Sequence, residues 1–125
     1  MAANTLARIP ASAKNIDNTH RKYQDDYQTP TYAASIAIVA KANCKNTLIK
    51  ISLTGALTLT CASDQNFVGD TMSFLILSDA SIRIVTFSTG FGPSGTLTTV
   101  ASKSVTASFM WNGTVWVETS RAIQA

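Results

Sequence analysis

Ser104-Val-Thr-Ala-Ser-Phe-Met-Trp-Asn-Gly-Thr-Val-Trp-Val-Glu118 decides how this chain is read. Asn112-Gly113 suits the two positive-φ positions of a type I′ turn, which sets Trp111 opposite Thr114, Met110 opposite Val115 and Phe109 opposite Trp116. Side chains alternate across a strand, so Phe109, Trp111 and Trp116 share one face while Met110, Val115 and Val117 share the other. Both faces are apolar. An ordinary surface hairpin keeps one face wet, so this one is either covered on both sides within its domain or contributes these six residues to a subunit interface.

Working outward, Met72 to Leu77 is apolar on both parities, the pattern of a central strand. Ser78-Asp79-Ala80-Ser81 reads as a turn. Beyond it Ile82 and Ile84 share one parity and Val85 and Phe87 the other, which predicts a β-bulge near Ile84-Val85 or a strand that serves two layers. Ser88-Thr-Gly-Phe-Gly-Pro-Ser-Gly95 is a compact loop packed around Phe91; no Lys-Ser/Thr follows it, so a phosphate cradle is the weaker reading. Leu97 to Val100 is a short strand. Upstream, Tyr32 to Ala40 is small and β-branched. Asn46 to Leu53 alternates with Ile49, Ile51 and Leu53 inward and Lys50 and Ser52 outward, and a turn at Gly55 leads into Leu57, Leu59 and Cys61, predicting a second hairpin. Ser63 to Val68 reads as a polar link with one helical turn capped by Ser63 or Asp64. Seven or eight strands without intervening helices predict an all-β fold: an antiparallel β-sandwich, jelly-roll-like, or a small barrel. No internal repeat stands out.

The composition agrees. Of 125 residues 17 are Thr and 13 are Ser, 46% are hydrophobic and only 14% charged, which describes a folded β protein with hydroxyl-rich outer faces. The length suits one domain that buries its core without staples. No run of apolar residues is long enough to span a membrane, and the first ten residues lack the apolar stretch of a signal peptide. Cys44 and Cys61 are the two cysteines; Cys61 continues the parity of Leu57 and Leu59 and reads as a small buried hydrophobe, with a disulfide the lesser alternative.

Residues 1–31 differ from the rest. Residues 1–30 carry 7 of the chain's 17 formal charges and two of its three prolines, and they show no strand or helix period, so 1–31 reads as an extended arm and 32–125 as the β domain. Residues 1–50 hold seven Lys/Arg against three Asp, a balance of 7 − 3 = +4, whereas the remainder holds three against four, 3 − 4 = −1. The dispersed basic residues read as a solvated or protein-facing surface rather than a nucleic-acid track. Tyr23, Tyr27 and Tyr32 give the arm anchors.

Groups able to do chemistry are sparse. His20 is the only histidine and Glu118 the only glutamate. A Ser-His-Asp set would depend on His20 in the arm, and Asp25 and Asp26 tend to point apart in an extended chain. Asp64, Asp70 and Asp79 lack a calcium-loop spacing and read as turn and cap residues. Hence no catalytic residue, metal site or cofactor is assigned, and the chain reads as a non-enzyme. Trp111 and Trp116 would suit a sugar-stacking platform if exposed, against a core or interface role if not. Asn112-Gly113-Thr114 also fits an N-glycosylation pattern, but its turn role suffices.

Gly69-Asp-Thr-Met-Ser-Phe74, Asp79, Arg83-Ile-Val-Thr-Phe87, Gly90-Phe91, Gly95-Thr-Leu97, Lys103 and Phe109 through Arg121 together resemble β modules of tailed-bacteriophage virion proteins, which include capsid decoration (cement) proteins and head or tail fibre proteins. The resemblance implies a β-rich, non-enzymatic and often trimeric module. With 68 residues ahead of Gly69, it implies a compact decoration protein on the outer surface of the capsid, assembled in the host cytoplasm. The expected partners are the major capsid protein and two further copies of the chain. Arg8, Lys14, Arg21, Lys22, Tyr23 and Tyr27 would then form a capsid-binding arm. The alternative is a fibre-tip or carbohydrate- and receptor-binding module with a host glycan as partner.

Overall fold

In a computed structural model that describes residues 25–62, 66–92 and 95–124, the chain forms nine strands and no helix among those residues. They are β1 (Asp25–Gln28), β2 (Ser35–Val39), β3 (Asn46–Ser52), β4 (Leu57–Ala62), β5 (Thr71–Leu77), β6 (Ile84–Phe87), β7 (Gly95–Thr98), β8 (Ser104–Trp111) and β9 (Trp116–Ile123). Two mixed sheets result, ordered β1-β3-β5-β8-β9 and β2-β4-β6-β7, and neither closes into a barrel.

The first six strands alternate between the sheets, and each of β1 to β4 pairs in parallel with the strand two places on. The backbone therefore coils: Asp25, Asn46 and Thr71 occupy one register position on successive turns. The last three strands reverse this, with β7 antiparallel to β6, β8 to β5 and β9 to β8. The expected all-antiparallel arrangement is thus corrected, as is the barrel. Period-two alternation is the same for parallel and antiparallel neighbours, so it fixed which side chains turn inward and left the pairing open. The turn at Gly55 shows how the two diverge. It carries the chain from one sheet to the other instead of closing a hairpin: Leu53 N–H bonds Leu77 carbonyl (2.8 Å) within the first sheet, and Thr58 N–H bonds Ala34 carbonyl (2.9 Å) beside the second. Tyr32, whose hydroxyl donates to Ala56 carbonyl (2.7 Å), lies where a Cβ on Gly55 would stand.

The inward parity is borne out along β3, where Ile49 and Ile51 are buried and Lys50 and Ser52 face out. β5 is the middle strand of the larger sheet. Both sheets feed one hydrophobic cluster, in which Ile38, Leu57, Leu59, Val85 and Leu97 of the smaller meet Ile49, Ile51, Met72, Ile76 and Val105 of the larger. At its centre Phe74, Phe87, Phe91 and Phe109 contribute four rings, all six pairs of which have centroids 4.9–6.1 Å apart. Phe91 reaches this quartet from a loop, as expected. Gly92 N–H bonds Trp116 carbonyl (2.9 Å) and Trp116 N–H bonds Gly90 carbonyl (2.9 Å), which straps the loop to β9. Gly90 is required there: its φ is +94°, and a Cβ would run into the carbonyl oxygen of Cys61.

Three local expectations change. The Asn112 loop holds four residues, since Trp111 pairs with Trp116 and Met110 with Val117. Asn112 Oδ1 accepts from Thr114 N–H and Val115 N–H, both at 2.9 Å, and only Gly113 takes the positive φ, +102°. An asparagine that bonds the backbone two and three residues ahead has no need of the type I′ geometry. The bulge lies at Ser108/Phe109 against β9, where Phe109 faces Glu118 and Ser108 faces Ser120, whereas β6 and β7 keep an unbroken register. Ile84 simply points outward and Val85 inward. The end of the expected arm, Asp25 to Gln28, is a strand of the sheet. Ser63 and Asp64 lie outside the described residues. Cys44 and Cys61 are buried and do not bond each other.

Candidate interaction surfaces

Alternation delivers the core on one side of each sheet, and what it leaves on the other side is available to partners. On the larger sheet the register aligns Tyr27, Leu48, Ser73, Ser108 and Ser120 in one outward row and Asn46, Thr71, Met110 and Val117 in the next. A third row holds Lys50, Leu75, Thr106 and Ala122. Among the described residues the only charged groups in these rows and at their β1 edge are Lys50 and Asp25. Tyr27 (60%), Leu48 (44%) and Met110 (43%) are exposed well beyond what their apolar surface favours.

The smaller sheet presents Ser35, Thr58, Thr86 and Thr96 in one outward row, with Thr60, Thr98, Val39 and Ile84 around it. None of these carries a charge. Thr is at home here because its branched Cβ fits the pleat while its hydroxyl meets water.

Described ion pairs lie at strand ends and edges. Lys41 Nζ stands 3.5 Å from Asp26 Oδ1, Arg121 holds Glu118 through Nε (2.9 Å) and Nη2 (3.0 Å), and Arg83 holds Asp79 through Nε (2.9 Å) and Nη2 (2.7 Å). The Arg83 guanidinium, with a further bond from Ser81 N–H, keeps the Asp79 carboxyl below its ordinary value of 3.8. Arg121 Nη1 also donates to Thr96 carbonyl (3.1 Å), tying β9 to β7. Thr99, buried beside the Asp79 pair, accepts from Arg83 N–H (2.8 Å) and shares a hydroxyl bond with Ser78 (2.8 Å). Lys41, Arg83 and Arg121 are thus paired locally, which leaves Lys50 as the charge within the outer rows of the larger sheet.

The residues expected at a subunit interface divide by face. Phe109, Trp111 and Trp116 are buried in the chain's own core, with the two indoles 5.5 Å apart, so their side chains cannot meet another subunit and cannot stack on a sugar. Met110 and Val117 lie on the other side, exposed and half-buried respectively, and Val115 is a half-buried residue of the Asn112 loop, against Gly92. Of the expected arm residues, Tyr27 is on β1 at the edge of the larger sheet; Arg8, Lys14, Arg21, Lys22 and Tyr23 lie outside the described residues. Sequence reasoning named Met110 but passed over Leu48 and Leu75 as members of the same outer face, on which the three occupy adjacent rows. Its signal was present in Leu48 and Leu75, apolar residues at the outward parity of β3 and β5, but it becomes a surface only when the pairing is known. Among the described residues no three His, Cys, Asp or Glu side chains gather as a metal site.

Scanned against models of protein families and searched against curated proteins, the chain matches none.

Proposed function

We propose that the chain is a structural virion protein, a capsid decoration protein that binds the major capsid protein shell as a homotrimer on the outer surface of the particle. The observation that carries this reading is the pair of nearly uncharged outer sheet faces, rich in hydroxyls and dotted with exposed Leu48, Met110, Val39 and Ile84. Such faces are poor at attracting a charged small substrate and well suited to flat, extensive contact, where many modest interactions add up. The sequence resemblance to phage virion β modules supplies the class of partner. In this reading the two sheets form a sandwich-like body, the outer face that bears Leu48, Leu75, Met110 and Val117 takes part in subunit contact, and basic residues of the first 24 help match an acidic shell.

The test is binding to emptied capsids. The full chain should saturate them at a fixed stoichiometry of hundreds of copies per particle, and a chain lacking residues 1–24 should remain trimeric and fail to bind. Full occupancy by the shortened chain removes the arm from the mechanism; a monomer in sedimentation, with no capsid binding by the full chain, removes the function. With Trp111 and Trp116 buried, the fibre-tip alternative loses the rings on which sugar stacking was to rest.

A further inference from the structure

Two inward rows of the larger sheet change character at its edges. The register aligns Gln28, Ile49, Phe74, Ala107 and Arg121 in one row and Asp26, Thr47, Met72, Phe109 and Glu118 in the next. The three inner strands fill these rows with buried residues, whereas β1 and β9, the outermost described strands, fill them with amide, guanidinium and carboxylate groups. Such groups add little to an apolar core. They reach instead for the other sheet.

Each edge carries the same arrangement. On β1, Gln28 Nε2 donates to Asp26 Oδ2 (2.7 Å) and to the Val39 carbonyl of β2 (2.8 Å). On β9, Arg121 is held by Glu118 and donates through Nη1 to the Thr96 carbonyl of β7 (3.1 Å). β2 and β7 are the outermost described strands of the smaller sheet, so at both ends a side chain from one sheet crosses to the edge of the other. Both carbonyls point out of their sheet, because backbone groups turn to alternate sides along a strand. Ala34 carbonyl faces β4 through its bond from Thr58 N–H, so that of Val39, five places on, faces away. Thr99 N–H faces β6 through its bond to Arg83 carbonyl, so the backbone groups of Thr96, three places back, face away. An edge carbonyl of this kind, left open, is where a strand from another molecule begins to pair.

We propose that Gln28 and Arg121 are clasps that close both ends of the paired sheets against strand addition by a second copy of this chain. Each clasp occupies an acceptor that an incoming strand needs, and the inward carboxylates of Asp26 and Glu118 place charge where that strand would bring apolar side chains. A second copy is the partner refused, because β2 and β7 share the inward-apolar, outward-polar alternation of β4 and β6 beside them, so each edge matches another copy of itself. Copies of the chain then meet through sheet faces and not by extending a sheet. The inference does not rest on capsid binding, and the isolated full chain tests it.

Gln28→Met and Arg121→Met keep apolar stems and delete the donors. With both substitutions, the weight-average mass in sedimentation should rise with concentration to about twice that of the unsubstituted protein or more, while the fluorescence of Trp111 and Trp116 stays native. The amides of Thr96 and Thr98, which point to the opened edge, should exchange about tenfold more slowly in the associated form. Lys50→Met, which removes a cation from a sheet face and no clasp, should leave the mass unchanged. The single variants carry the test if the double one loses its native fluorescence: Arg121→Met alone should associate with protection at Thr96 and Thr98, and Gln28→Met alone should associate without it. Unchanged mass in these variants, an equal rise in Lys50→Met, or association of Arg121→Met that leaves Thr96 and Thr98 exchange unaltered would each overturn the proposal.

Discussion

Replacing Phe91 with Leu tests whether the aromatic quartet joins the two sheets. Phe74 and Phe109 come from the larger sheet, Phe87 from the smaller, and Phe91 from the loop between β6 and β7. Phe91 makes three of the six ring pairs, at 6.1, 5.3 and 5.1 Å from Phe74, Phe87 and Phe109. Leu keeps most of the apolar volume, so the main loss is the ring geometry. At about 0.5–1.5 kcal/mol per aromatic pair beyond simple burial, three pairs give about 1.5–4.5 kcal/mol. The lower half is expected, because neighbouring rings repack. Phe91→Ala adds a cavity and should reach about 3–5 kcal/mol, a large part of the stability of a domain this size. Urea unfolding followed by the fluorescence of buried Trp111 and Trp116 measures both changes. An F91L midpoint equal to that of the unsubstituted protein, at unchanged slope, refutes the coupling. A double-mutant cycle with Phe87→Leu should show an interaction of about 0.5–1.5 kcal/mol, and additivity would refute the Phe87–Phe91 pair.

Thr99→Val keeps shape and deletes the hydroxyl that accepts from Arg83 N–H and bonds Ser78, so thermal unfolding should show a loss of about 1–3 kcal/mol, and a neutral result would deny that network. Gly90→Ala should cost more than Gly69→Ala: both glycines have positive φ, worth about 1–2 kcal/mol for a side chain, but only at Gly90 does the new methyl meet backbone, while Gly69 has open space. Comparable midpoints for the two variants would contradict that packing. Because the folded carboxyl of Asp79 titrates below 3.8, its contribution to stability is present above that pH and fades as pH falls through the lowered value. Asp79→Asn should therefore flatten the acid limb of a plot of Tm against pH below about 4, by a small amount that salt reduces further, and an identical acid limb in the variant counts against the pair.

The inward faces were legible residue by residue. Ile49, Ile51, Leu57, Leu59 and Cys61 alternate with polar neighbours, and Phe109, Trp111 and Trp116 share a face whether the hairpin loop holds two residues or four, because both even lengths keep the parity. Strand partners were hidden. Nothing in Asn46 to Leu53 or Leu57 to Cys61 separates a hairpin from two strands of different sheets; the difference is made by Tyr32 beneath Gly55 and by ladders to residues about twenty-five positions away, such as Ile49 to Phe74. The same blindness concealed the outer face on which Leu48, Leu75 and Met110 occupy adjacent rows.

The reversal at β5 bears on the order in which the molecule is made. Parallel partners such as Phe74 with Ile49 must close a long loop before they gain anything, whereas β8 and β9 meet through a short one and form quickly. As the chain leaves the ribosome, β5 emerges well before β8, and until β8 arrives one side of β5 has no native partner while its apolar residues wait for Phe109 and Val105. Burial of the centre therefore waits for the carboxy-terminal strands, and a ribosome stalled after Leu77 should hold a nascent chain that is sensitive to protease and prone to capture by chaperones.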